Sequence, residues 1–217
     1  MIRLVVKPKR QAKSLARQLN ARRRVAREAA FLLYTGVVEE YRQAKEMAAR
    51  SLGVRVLPSN LEVALELDRI ADEFEGERRR FRIVRMRREA LELMELLKEF
   101  KPRLIGSVWR GTAIKGSDIA VEVYADNVED VERRLRGKYT VFNVEDVVSN
   151  GGRMSHHIYL KLPSGDVAEI VVRGSDEANT TRICEIYGDR ITGLNIGELR
   201  ELLKVNPSKK FIPQGGV

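Results

Sequence analysis

The spacing of apolar residues changes period at Pro102, and no other feature constrains the fold as much. Before it, apolar side chains recur at three- and four-residue steps. Val63, Leu67, Ile70 and Phe74 share one helix face, and Ile83, Met86, Ala90, Leu93, Leu97 and Phe100 form a longer seam. After it the step shortens to two: Ile119, Val121 and Val123 alternate with Ala120, Glu122 and Tyr124. Two periods in separate halves of 217 residues predict an α+β protein. A helical region spans residues 1–102, an α+β region spans 103–205, and a loose Pro/Gly/Lys-rich tail spans 206–217.

Local signals divide each half. Helices are predicted from Lys9 to about Ala30, with Leu15, Leu19 and Ala26 on a thin stripe, and from Gly36 to Leu52, closed by Gly53. Ser59 to Glu62 is a capping-box pattern that opens a third helix, which Gly76 closes. The seam helix follows and stops at Pro102. Beyond it, Leu104-Ile105 runs as a strand into a turn at Gly106. A helix is expected over Asn127–Arg136, strands over Tyr139–Val144, His156–Leu162 and Val167–Arg173, and a last helix over Ile196–Lys204. Pro163 to Asp166 has the composition of a hairpin turn.

Charge is unevenly placed. The net charge is +9, and residues 1–30 hold ten of the 40 basic side chains against Glu28 alone. The remaining 30 basic and 30 acidic residues cancel. A concentrated cationic segment on a neutral body suggests a polyanion, because each neutralised phosphate releases counterions; a solvated basic face is the competing reading. Arg10, Lys13, Arg17, Arg22, Arg23 and Arg24 are the candidate contacts. Hydrophobic residues make up 43% and charged residues 33%, which argues against disorder, and no run of 18 apolar residues suggests a membrane span. The N-terminus shows no apolar core followed by a cleavage site, so a soluble, unprocessed protein is expected. Cys184 is the single cysteine, consistent with a reducing cytoplasm.

Residues 106–122 carry the chemistry. Gly106-Ser107 stands at a strand-to-helix turn, ten residues follow, and Asp118 opens the alternating strand. Arg110-Gly111-Thr112 and Gly116-Ser117 lie between. This pattern resembles the signature of the nucleotidyltransferase superfamily, which includes DNA polymerase beta, CCA-adding enzymes and small minimal nucleotidyltransferases. The resemblance covers about residues 103–173. It implies a mixed sheet with flanking helices and transfer of a nucleoside monophosphate from a nucleoside triphosphate to an acceptor hydroxyl. It further implies that Asp118 and Glu169 hold magnesium or manganese. Gly106, Ser107, Arg110, Thr112, Lys115 and Ser117 would contact the nucleotide. The basic first helix would hold the acceptor, most simply an RNA such as tRNA.

The physical chemistry of these residue types agrees. Glycine lets backbone approach a phosphate closely, and serine adds a donor. Carboxylates two apart on a strand share a face. The resemblance implies a third carboxylate from a neighbouring strand, and Glu169, the single acidic residue within an apolar strand, is the candidate; a water-facing edge charge is the plainer alternative.

The sequence departs from the family at one position: the second carboxylate is replaced by Ala120. Glu122 lies on the same face, about 6.6–6.8 Å along the strand, whereas paired catalytic metals sit about 3.5–4 Å apart. Ala120 is therefore an introduced substitution that disables turnover, a natural loss leaving a binding relic, or part of a site rearranged around Glu122. A non-catalytic RNA- or protein-binding module that retains the fold is the alternative function; a transferase acting on a protein or antibiotic is a third. His156 and His157 are adjacent on a strand, face opposite sides, and read as structural. Trp109 reads equally as core or as a base-stacking platform. Arg78–Arg80 and Arg87-Arg88 read as a wet helix face, and Cys184 as a small buried hydrophobe.

Overall fold

The structure is a computed structural model that describes residues 8–148 and 152–213, with side chains described from residue 15 onward. It divides into two compact units. One holds the described residues up to Phe74 with Glu185–Gly188; the other holds Glu75–Cys184 and the described residues from Asp189.

In the first unit, helices α1 (Pro8–Tyr34), α2 (Tyr41–Ser51) and α3 (Asn60–Glu75) surround a core rich in small residues. Val25, Ala26, Ala29, Ala30, Ala44, Ala48, Val63 and Ile70 are buried there. The alanines permit close helix approach. Helix α1 runs beyond the expected Ala30, and Gly36 ends it rather than opening α2. With φ +70°, Gly36 lets its own N–H reach Leu33 O and the Val37 N–H reach Leu32 O, the Schellman arrangement. The capping box at α3 forms: Glu62 N–H donates to Ser59 Oγ at 3.2 Å and Ser59 N–H to Glu62 Oε2 at 2.7 Å. The expected apolar stripe of α1 is not buried along its length, since Leu15 and Leu19 are 58% and 53% exposed.

The second unit opens with helix α4 (Glu77–Leu96), and the packing therefore divides at Phe74–Glu75, not where the period changes at Pro102. Its seam residues Ile83, Met86, Ala90, Leu93 and Leu97 belong to one core with Ile119, Val121, Val123, Ile158 and Ile170. A helix with so continuous an apolar stripe is stable only against a partner, and the sheet supplies it.

The sheet has the order β1-β2-β5-β4-β3, formed by Arg103–Leu104, Ile119–Tyr124, Val167–Arg173, Met154–Lys161 and Thr140–Val148. Strands β2 and β5 are parallel; the other pairs are antiparallel. Short helix α5 (Gly106–Arg110) follows β1, α6 (Val128–Arg136) follows β2, and α7 (Ile196–Val205) closes the unit. Asn127, expected inside the helix, instead caps α6, accepting from Glu129 N–H at 3.0 Å. Strand β3 runs on to Val148 rather than Val144, and β4 is shifted to Met154–Lys161 from the expected His156–Leu162, as their mutual pairing sets both ends.

The segment from Asn206 to Pro213, expected to be loose, is tied down by buried arginines. Arg87 donates to Pro207 O and Lys209 O at 2.7 and 2.9 Å, and Phe211 N–H donates to Arg110 O at 2.8 Å. Phe211 also stacks on Trp109. Basic and aromatic side chains from distant helices hold this segment, so local composition misreads it. No described helix is long and apolar enough to cross a membrane.

Candidate functional site

The face of the sheet opposite α4 carries the polar residues. Register places Ala120 beside Glu169 on β5, and Glu169 beside Tyr159 on β4. Alternation puts Glu122, His157, Ser155 and Glu145 on the same face. Asp118 immediately precedes β2, and its carboxyl lies near enough to Glu169 for the two to interact electrostatically. Burial and then the charge of Glu169 raise the Asp118 carboxyl above its ordinary value. Burial works against ionisation of Glu169 too, but donors from His157 and Tyr159 outweigh it and leave that carboxyl lowered. The two neighbouring carboxyls are thus shifted in opposite directions.

Glu169 Oε1 lies 2.6 Å from His157 Nδ1 and accepts from Tyr159 OH at 3.1 Å. Tyr159 OH also lies 2.8 Å from Glu145 Oε1. Sequence reasoning assigned His157 a structural role and passed over Tyr159, Ser155 and Glu145. A usable signal existed: Ser155, His157 and Tyr159 are the polar alternates to Ile158 and Leu160.

Gly106 sits directly over the strand. Its φ is +69°, and a Cβ there would meet Ala120 Cβ at 3.3 Å. Position 120 thus lies between the turn and the two carboxyl groups. Ser107 O accepts from Thr112 N–H at 2.9 Å, closing the turn. Ser117 Oγ accepts from Ile114 N–H at 2.9 Å, so Ser117 shapes the loop that precedes Asp118. Lys115 is exposed, with its N–H directed at Glu75 Oε1, 3.3 Å away.

Three sequence expectations are redirected by burial. Arg110 is 3% exposed and paired with Asp189 through two contacts of 2.6 and 3.1 Å. Its charge is already neutralised, and its guanidinium lies over buried Trp109 at 4.5 Å, so neither side chain faces a ligand. Glu122 is fully buried, accepts from Tyr124 OH at 2.6 Å, and pairs with Arg182 and, at 3.5 Å, with Arg173. A carboxylate so engaged is not a substitute ligand for position 120. Burial, followed by the hydrogen bond to Glu122, pushes the Tyr124 hydroxyl up to about 12. Finally, the basic face of α4 is not uniformly wet. Arg78, Arg80 and Arg88 are exposed, but Arg79 and Arg87 are fully buried. Arg79 holds Ala113 O and Thr112 O at 3.0 and 2.8 Å; Arg87 holds Val108 O and Trp109 O at 3.0 and 2.8 Å. They brace the motif from behind, and burial lowers Arg87 to about 10.

Among the described residues no three His, Cys, Asp or Glu side chains form a metal cage. The donor set of Asp118 and Glu169 suits one divalent ion, because two neighbouring half-buried carboxylates repel each other and a cation relieves that repulsion.

On α1, Arg17, Arg23 and Arg24 are exposed, whereas Arg22 is engaged with Glu62 at 2.6 Å. The side chains of Arg10 and Lys13 lie outside the described residues. Compared with known proteins, the chain matches no family model and no curated protein.

Proposed function

We propose that the protein is a nucleotide-binding protein with the site architecture of a nucleotidyltransferase, lacking one of its three carboxylates. The carrying observation is the convergence at position 120. Asp118, Glu169 and the Gly106 turn surround a methyl group that a carboxylate would replace. In this reading the Gly106-Ser107 turn and exposed Lys115 hold a nucleoside triphosphate. Asp118 and Glu169 hold magnesium or manganese, whose chemistry when bound is to neutralise the phosphates. The acceptor is an RNA such as tRNA, held by the exposed arginines of α1, and the setting is cytoplasmic. A non-catalytic nucleotide- or RNA-binding module is the second reading, favoured by the missing ligand and by the engagement of Glu122.

Nucleotide-dependent thermal stabilisation and transfer of labelled nucleotide into small RNAs test it. The wild-type chain is expected to be stabilised by a nucleoside triphosphate with magnesium but to turn over slowly. Gly106→Val should remove the stabilisation, because its side chain would occupy a left-handed backbone and press on Ala120. Ala120→Asp should raise magnesium-dependent transfer at least tenfold, and Asp118→Asn in that background should abolish it. An Ala120→Asp protein that binds nucleotide yet stays inert with every RNA sends the balance to the binding module. Loss of stabilisation in none of the variants overturns both readings.

A further inference from the structure

Glu169 is held by a chain of side chains that no part of the nucleotide reading requires. Ser155 Oγ lies 2.9 Å from His157 Nε2, and His157 Nδ1 lies 2.6 Å from Glu169 Oε1. All three side chains project from one face of two neighbouring strands, with His157 opposite Val171 and Tyr159 opposite Glu169. Ser155 is 3% exposed, so its end of the chain is closed to water.

The chain has a direction. An ionised carboxylate only accepts, so the proton facing Glu169 belongs to His157 Nδ1. The ring's other nitrogen then needs a donor, and the Ser155 hydroxyl supplies it. The other acceptor open to that hydroxyl, Val147 O, is 3.4 Å away, at the limit of a hydrogen bond. Tyr159 OH lies 3.1 Å from the same carboxylate oxygen, but its single proton is shared with the nearer Glu145 Oε1 at 2.8 Å. Oε1 is therefore the oxygen that His157 and Tyr159 contact, and Oε2 is the oxygen outside these contacts.

We propose that His157 is a positioning residue, fixed in its Nδ1–H form by Ser155, that orients Glu169 so that Oε2 faces Asp118 and any divalent cation held between them. The proposal rests on the reading of Asp118 and Glu169 as cation ligands, and it assigns to His157 no contact with substrate. The physical logic is that of an outer partner fixing a ligand's rotamer: losing such a residue typically costs about 10–100-fold in metal affinity. It also gives the lone carboxylate pair a rigid geometry where a third ligand is missing.

Two measurements on the full chain separate this proposal from the reading beneath it. The first is nitrogen-15 NMR of the imidazole, which reports the tautomer without any metal. The expected spectrum shows His157 protonated at Nδ1 with Nε2 accepting, and Ser155→Ala or Glu169→Gln should change that pattern. A His157 protonated at Nε2, or one indifferent to both variants, overturns the proposal. The second is manganese affinity by electron paramagnetic resonance at one fixed pH. His157→Ala should weaken it at least tenfold, and His157→Asn or His157→Gln, which restore an amide donor, should recover part of the loss. Circular dichroism melting checks that each variant is folded. Equal affinity in wild type and a folded His157→Ala protein overturns the positioning role alone. If wild type and Asp118→Asn bind manganese equally weakly, the cation reading fails and the positioning role falls with it.

Discussion

Glu122 and Ala120 stand two residues apart on one strand face, and burial separates their roles. From sequence, Glu122 was the nearest substitute for the carboxylate missing at 120. In the fold it is fully buried between Arg173 and Arg182, with Tyr124 donating to it. Removing one member of such a cluster leaves charges without their counterion, a loss of about 3 kcal/mol or more. Glu122→Gln is therefore expected to lower stability by about 3 kcal/mol. Urea denaturation checks this as a fall in midpoint at unchanged slope. The same variant placed with Ala120→Asp should retain nucleotide transfer wherever it remains folded. Glu169 stood out because an acidic residue in an apolar strand is rare, whereas Asp118 stood out only through the family motif that residues 106–118 resemble. His157 was not, since its partner is set by the register between β4 and β5.

At the scale of elements, the join of α1 to α3 depends on one carboxylate. Glu62 closes the cap of α3 through Ser59 and accepts from Arg22 Nε and Nη2 at 2.7 and 2.6 Å. Burial tends to raise its carboxyl, but the Arg22 hydrogen bond, the Ser59 donors and the Arg22 charge outweigh that and lower it from 4.5. A lowered carboxyl contributes stability that is present above the unfolded value and lost as pH falls through the folded one. Thermal melting is therefore expected to decline below about pH 4.5. Glu62→Gln should melt lower at neutral pH and show a shallower decline in acid. Equal acid slopes for both proteins would assign the loss to other groups. The capping box could be read directly because it is local. The Arg22 partner could not, because 40 residues separate the two.

For the whole molecule, the charge asymmetry seen in the sequence translates only partly into free surface. Helix α1 uses Val25, Ala26, Ala29 and Ala30 as core, so removing residues 1–30 would unfold its unit and test nothing about RNA. Charge reversal is the sound experiment. Arg17→Glu, Arg23→Glu and Arg24→Glu together change exposed groups and leave Arg22 and Arg27 on their glutamates. The triple variant should bind small RNAs weakly. The slope of log affinity against log salt should become shallower by about 0.7–0.9 for each phosphate that is no longer neutralised. An unchanged slope would make this a solvated face.

Periodicity alone determined the main element types, because it is a property of neighbouring residues, and resemblance to a family motif grouped Gly106, Asp118 and position 120. The sequence also determined that position 120 lacks a carboxylate. Tertiary structure decided the rest. It assigned α4 to the sheet, since a long apolar seam packs against whatever face lies open. It withdrew Arg110 and Glu122 from the site by burying them against opposite charges. It brought Ser155, His157 and Tyr159 to Glu169 through the pairing of two strands. Burial and strand register arise from interactions between distant residues, and one-dimensional spacing does not encode which distant residues meet.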